Sequence, residues 1–330
     1  MKRLLLISSL LLCFVSIGNA QQYSSSGSFP ARTYISPTKH RNAKASSALF
    51  TQVNQGFEYI YNFEFVKADS LIGVMRKKYA MQPMTYLLSA NYFWWMIISG
   101  EDNEINRLRF RQDLDLANTI LKSQPSDSLS NEELFILINT YSFKSRLELK
   151  QKNYLKGMFY VNDCIRYLKT SFGKENEYEP FLFTSGIYNY FCDYGMQNYP
   201  ILYPSLLFLP EGNMKLGLQQ LEKVSKSKEM LLSNEGTYFL LKIYLDMEKE
   251  PSKAVDYAEV LVNRHPNNIV YQYLLFKALI SGDNFPQASK QLEAVNRAAL
   301  TNQKLTLSQK EHFLKMAKDD LRSYFARNQD

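Results

Sequence analysis

The sequence predicts an all-α protein, with antiparallel helix pairs stacked as an irregular α-solenoid. Apolar residues recur at helical spacing over nearly the whole chain beyond residue 45. Helix breakers are scarce, with 13 Gly and 11 Pro in 330 residues, and no strand–turn–strand alternation occurs. The third observation is an internal repeat: Ala254 and Ala288, 34 residues apart, sit in matching surroundings.

The first segment is MKRLLLISSLLLCFVSIGNA, with basic Lys2 and Arg3, an apolar run from Leu4 to Ile17, and small Gly18 and Ala20. That layout is expected of a secretory signal peptide over residues 1–20, cleaved after Ala20. The apolar run is shorter than the ~20 residues of a membrane-spanning helix, which argues against a retained anchor. Leu12 stands before Cys13 where lipidation would need a small residue. Residues 21–45, QQYSSSGSFPARTYISPTKHRNAKA, are polar and Ser-rich and are expected to form a flexible leader. The remainder, 46–330, is read as one helical-repeat domain.

Leu49, Phe50, Val53, Gly56, Phe57 and Ile60 define one helix face, and Phe65, Ala68, Leu71, Ile72, Met75 and Tyr79 define a second after a break at Asn62. Two amphipathic helices with so short a loop must fold back on each other. Met84–Gly100, MTYLLSANYFWWMIISG, is apolar all round and predicts a central buried helix. GEDNEINR (Gly100–Arg107) reads as a solvated turn and helix start, and Asp113 and Asp115 as exposed helix residues. Ser130 with Glu133 forms a capping box that opens a helix running to about Lys150. Tyr154, Gly157, Met158, Val161, Cys164, Ile165 and Leu168 mark the helix after QKN.

The apolar irregular insert, 181–212, includes Tyr199–Pro210, twelve residues without a charge or amide. As a helix that run reaches only ~18 Å, against a ~30 Å hydrocarbon core, and Pro200 and Pro204 interrupt it. It is read as a helix over about Phe181–Tyr194, a bend, and a short apolar helix to Leu209, packed mainly as core. Tyr188, Tyr190, Tyr194, Tyr199 and Tyr203 offer the alternative of a ligand or partner surface. No basic face accompanies the run, so membrane-surface contact lacks support. Leu216, Leu218, Leu221 and Val224 form the next helix face, and Thr306 with Gln309 suggests a cap for a last helix towards Phe325.

Around the 34-residue repeat, Leu241 matches Leu275, Leu245 matches Leu279, Ala258 matches Leu292 and Leu261 matches Val295, while Pro266 ends the first unit. A small residue is required where the second helix crosses nearest the first. These residues resemble tetratricopeptide repeats, which share that length, that small residue and a terminal proline. The match is strongest over 235–298. It extends more loosely through Gly56, Tyr59 and Ala68, with Gly157 and Gly217 at the small-residue position of degenerate units. GFEYIYNFEFVKADSLI and GIYNYF…LPEGNMKLGLQQLEKV are similar to an exported bacterial branch of that group, and faintly to the eukaryotic inclusion-body-clearance group. The resemblance implies a protein or peptide partner held in a groove of first helices, lined by Phe239, Ile243, Asp246, Tyr273, Lys277 and Ile280, with Tyr273 giving apolar contact and Lys277 pairing a carboxylate. Simple packing of those six residues is the competing expectation.

No cofactor or metal is expected. His40, His265 and His312 are the three histidines, and no H-E-x-x-H, paired-Cys, G-x-S-x-G or phosphate-loop motif occurs. Removal of Lys2 and Arg3 lowers the formal charge from +7 to +5, with no basic block, which excludes a nucleic-acid partner on composition. Cys164 and Cys192 stand among apolar residues and read as buried thiols, although an exported chain permits their oxidation. Adjacent Trp94 and Trp95 point ~100° apart on a helix, so they cannot form one stacking platform. The expected role is therefore non-catalytic binding or scaffolding in the cell envelope, in the periplasm rather than outside the cell. The rivals are a glycan- or small-molecule-binding protein and a hydrolase with carboxylates distant in sequence.

Overall fold

A computed structural model of the chain describes residues 43–122, 129–198 and 209–327. Among these residues there are thirteen helices and no strand. They are α1 (Ala43–Tyr61), α2 (Phe65–Lys78), α3 (Pro83–Ile98), α4 (Glu104–Lys122), α5 (Asn131–Lys150), α6 (Tyr154–Ser171), α7 (Pro180–Asn198), α8 (Met214–Ser225), α9 (Met230–Asp246), α10 (Pro251–Arg264), α11 (Ile269–Ser281), α12 (Phe285–Thr301) and α13 (Leu307–Arg327). The signal peptide, nearly all of the leader, and the expected apolar helix through Tyr199, Tyr203 and Leu209 fall outside the described residues, apart from Leu209 itself.

A single turn design joins four of the pairs. Phe63, Lys152, Lys249 and Asp283 each adopt positive φ, between 54° and 63°, two residues before the second helix begins. Left-handed backbone costs a non-glycine residue about 1 kcal/mol. The following amide offsets that cost by bonding back to the first helix: Glu64 N to Tyr59 O at 2.8 Å, Asn153 N to Glu148 O at 2.8 Å, Glu250 N to Tyr244 O at 2.9 Å and Asn284 N to Leu279 O at 3.1 Å. The fourth residue of each second helix is then small (Ala68, Gly157, Ala254 and Ala288), and Gly217 holds the same place in α8. A methyl group or less at this point lets the two backbones approach. The α3–α4 pair departs from the pattern, with Arg107 at that position.

Pairs pack consecutively, α1 on α2 through α11 on α12, and each second helix also touches the next first helix. The odd-numbered helices from α3 to α11 form the inner layer. α3, α5, α7, α9 and α11 are buried on nearly every side, whereas α10 buries only Ala254, Ala258 and Leu261. This division follows from composition: a helix apolar all round needs neighbours on all sides, and an amphipathic one covers only its stripe.

The stack turns back on itself. Asn268 donates to Tyr61 O at 2.9 Å, Tyr61 Oη donates to Glu235 at 2.9 Å, and His265 Nδ1 stands 3.3 Å from Asn62 Oδ1. At the other end, Gln309 donates to Ser99 Oγ at 2.7 Å and Ser308 to the Gly100 carbonyl at 2.7 Å, which joins the start of α13 to the end of α3. Trp95 lies at the centre, its ring met edge-on by Tyr61 and Tyr271. Contacts between the N-terminal pair and α9–α11 thus close the solenoid into a tight coil.

Both capping boxes form: Ser130 with Glu133, and Thr306 with Gln309. Three local expectations are corrected. Asp113 is 1% exposed, not a surface residue, because Arg76 of the preceding pair and Ser89 of its own partner helix α3 meet it. Phe50 is exposed, while Leu49 beside it packs against the core. α7 runs on through Gly195 to Asn198.

Candidate functional site

α5 carries a polar stripe on an otherwise sealed helix. Between Leu134 and Leu149, only Asn139, Ser142 and Arg146 are partly exposed; their spacing of three and four puts them on one face. Opposite, α9 leaves Leu231, Glu235, Tyr238, Lys242 and Asp246 partly exposed, again along one face. The two stripes meet at a cleft of about 20 Å³, and a second of about 40 Å³ opens between α5, α6 and α7; Asn139, Arg146 and Phe183 wall both. Such volumes admit a few waters or a molecule of a few non-hydrogen atoms, and no sugar ring.

Arg146 is the unusual residue here. Its guanidinium lies 5.3 Å from the Phe143 ring centroid and 5.1 Å from that of Phe239, a cation held between aromatic faces. Among the described residues no hydrogen-bond or ion-pair partner reaches it. Burial pulls its pKa downward while Glu235, Tyr238 and Cys164 oppose the shift, and an arginine so placed stays charged. Glu235 lines the smaller cleft with it, beyond ion-pair distance. Burial pushes the Glu235 carboxyl up, against the opposing pull of Arg146 and the Tyr61 hydroxyl bond. Asn91, from α3, reaches the same cleft; it is 5% exposed and its Oδ1 has no partner.

The six groove positions expected from the repeat lie on α9 and α11, yet they form no open groove. Phe239, Ile243, Tyr273 and Ile280 are buried. Asp246 and Lys277 are partly exposed and bond to each other at 3.0 Å, with Lys242 also on Asp246. The accessible face of α9 is shifted by one residue from the expected register, to Tyr238 and Lys242 in place of Phe239 and Ile243. Closure of the stack accounts for the difference, because inner helices that meet partners on both sides have only a narrow face left. The Tyr273 ring packs on Phe313 of α13.

The other described candidates are engaged within the fold. Trp95 is buried, and Trp94 packs against Phe110 and Phe143, so neither offers a sugar platform. Tyr188 donates to the Pro210 carbonyl at 2.6 Å, and buried Tyr190 donates to Glu248. Cys164 and Cys192 are free and buried, and burial pushes the Cys164 thiol up to about 12, far from a reactive thiolate. His265 sits between Asn234 and Asn62, and burial, reinforced by Arg264, lowers its pKa to about 4. Asp102 and Glu104 are paired with Arg107, and Asp102 also with Lys150. Asp115 is exposed and meets Lys144. Among the described residues no group of three His, Cys, Asp or Glu side chains could hold a metal ion, and no helix is long and apolar enough to cross a membrane.

Comparison with known proteins finds no matching family model, no similar curated protein and no similar solved structure. The cleft residues Asn91, Asn139, Arg146 and Glu235 escaped the reading of the sequence. A signal existed in the three-and-four spacing of Asn139, Ser142 and Arg146 within an apolar helix, but identifying it required knowing which face had no neighbour.

Proposed function

We propose that this chain is a non-catalytic helical-repeat binding protein, of the tetratricopeptide type, that acts as a scaffold for a protein partner in the bacterial cell envelope. The observation that carries this reading is the placement of exposed apolar residues. Of the fifteen exposed large hydrophobic side chains among the described residues, eleven lie on the even-numbered outer helices. Leu155 and Phe159, one turn apart on α6, are 75% and 67% exposed. Two large apolar side chains adjacent on one helix face are the usual substance of a protein contact. The inner face is already taken up by contacts within the stack, so a macromolecular partner would meet the outer layer. The opening segment, with its basic start, apolar run and small residues before position 21, supports export to the periplasm.

The test is crosslinked capture from intact cells, with wild type compared against a Leu155→Glu, Phe159→Glu double variant. Loss of one specific envelope protein from the variant, with circular dichroism unchanged, is the expected outcome. Equal capture by both forms, or turnover of a substrate by the purified protein, would overturn the reading.

A further inference from the structure

We infer that the outer face of α6 docks an acidic amphipathic helix of a partner protein, with the partner's apolar side chains on Leu155 and Phe159 and its carboxylates on Arg166 and Lys169. This rests on the scaffold reading above and goes further, by naming the kind of segment that the face takes.

The spacing of the face is the first ground. Leu155, Phe159, Asn162, Arg166 and Lys169 follow one another at intervals of four, three, four and three residues. That spacing keeps all five on one side of the helix, and it is the one against which a second helix packs. Gly157, Val161, Cys164 and Leu168, all buried, take the opposite side, towards α5. On the outer stripe Leu155, Phe159, Arg166 and Lys169 are exposed and Asn162 is partly so, and no described helix covers them. The stripe runs ~21 Å, about four turns, enough to seat a helix of ordinary length.

Charge is the second ground. α6 holds three cations, Lys156, Arg166 and Lys169, against one acid, Asp163, and Lys152 stands exposed just before it. The acids on this side of the stack are already met: Glu148 by both Arg111 and Lys156, Asp115 by Lys144, and Asp163 by Arg166. Lys152 and Lys169 make no ion pair among the described residues. The Arg166–Asp163 pair is 63% and 36% exposed, so it is weak and open to exchange for a partner's carboxylate. A cation in the last turn also suits the helix dipole. That accounts for Lys169, and not for two bare apolar side chains one turn apart at the other end.

The order along the stripe favours a protein over a lipid surface. A helix that lies on a membrane runs apolar side chains along its length and keeps its basic residues on the polar face. On α6 the apolar and the basic residues share one line, two at the start and two at the end. A partner helix laid along that line matches each half in turn, apolar on apolar and acid on base.

The experiment places the photo-crosslinking residue p-benzoylphenylalanine at Asn162, mid-stripe, in the full chain in intact cells, and reads the crosslinked segment by mass spectrometry. One segment of one protein is expected, with apolar residues at helical spacing and more Asp and Glu than Lys and Arg. A synthetic peptide of that segment should bind the purified chain, more weakly as salt rises. Arg166→Glu with Lys169→Glu should weaken it about tenfold, with circular dichroism unchanged. A crosslinked segment without an acidic excess would overturn the acidic helix and leave the scaffold reading standing. That result is read without the charge-reversed variant, so it holds even if the variant fails to fold. No crosslink at Asn162, where capture still depends on Leu155 and Phe159, would do the same; loss of that dependence as well would remove both readings. Flotation of the wild-type chain with phosphatidylglycerol vesicles, abolished by the charge reversal, would assign the face to a membrane instead. Concentration-dependent dimerisation abolished by the same variant would assign it to a second copy of this chain.

Discussion

Glycine-to-alanine substitution should have opposite signs at two positions in this fold. An ideal Cβ on Gly217 would lie 2.5 Å from Tyr190 N, 2.8 Å from Gly186 O and 2.9 Å from Tyr190 Cβ. Two of those atoms are backbone of α7, so no side-chain rotation can yield. Restoring a 3.4 Å contact to Tyr190 N means parting α8 from α7 by about 0.9 Å. A gap of that size forfeits roughly a quarter to a half of the dispersion well for each pair across the interface, which includes buried Tyr190 and Leu221. Overpacking of this kind costs about 2–3 kcal/mol, and the gain in helix propensity returns about 1 kcal/mol. Gly217→Ala should therefore lose about 1–2 kcal/mol. Gly73, exposed in α2, has nothing within 4 Å of its ideal Cβ, so Gly73→Ala should gain about 0.5–1 kcal/mol. Gly157 falls between them: its Cβ would meet Leu149 Cδ2 at 2.7 Å and Cγ at 2.8 Å, so that side chain must shift, but the nearest backbone atom is 3.6 Å away. Urea denaturation of the three variants reads the order directly, and amide exchange in α7 and α8 localises the loss if repeats unfold separately. Gly217→Ala at wild-type stability or above would refute the close-crossing account of this fold.

Three further outcomes follow from named contacts. Ser130→Ala should cost about 1 kcal/mol in urea by opening the start of α5, and no change would remove the capping box from the stability of that helix. Asn268→Ala should cost about 2–4 kcal/mol, since it removes the cap on Val270 and Tyr271 amides and orphans the Tyr61 carbonyl; faster exchange confined to α1, α2 and the start of α11 is the signature, and protection unchanged in α1 would show that closure does not need this bond. His265, 4% exposed, has a folded-state pKa of about 4 against an ordinary value near 6.5. Its neutral ring is favoured in the fold, so its stabilising effect is complete above about pH 6.5 and is lost as the pH falls towards 4, by about 3 kcal/mol in full. Around the ring stand Asn62, Asn234, Tyr61 and Tyr271, all uncharged, and Arg264, which adds to the same direction. Between pH 7.5 and 4.5 wild type should lose about 2.5 kcal/mol through this group in urea denaturation, a loss absent from His265→Gln, and an unchanged pH slope would assign the acid sensitivity to other groups.

The helix layout was legible because its determinants are local. Ser130 and Glu133 satisfy amides within one turn, the break at Asn62 follows from spacing alone, and Ala254 and Ala288 mark a crossing that each hairpin makes with itself. Closure was not legible, because it depends on residues 174 to 240 positions apart, such as Tyr61 with Glu235 and Lys304 with Glu64. Two kinds of misplaced residue trace to contacts outside their own hairpin, one between consecutive pairs and one made by closure. Asp113 reads as a surface acid until Arg76 of the neighbouring pair is brought across it. Phe239 and Ile243 read as groove residues in an open stack, and become interior once α5 and α7 face α9, with Phe183 and Arg146 against Phe239.

The same closure explains why the polar cleft could not be inferred from one helix. An inner helix of an open solenoid shows solvent a broad face, and a lone arginine there needs no partner because water supplies one. Once α9 and α1 fold over α5, the same arginine keeps only a channel a few waters wide, and the fold leaves it facing Glu235 without joining the two. A hydrophobic residue at position 146 would fill that space with less electrostatic cost. Arg146→Leu should accordingly leave thermal stability equal or higher. A fall of several degrees in melting temperature would instead show the guanidinium to be part of what holds the coil shut.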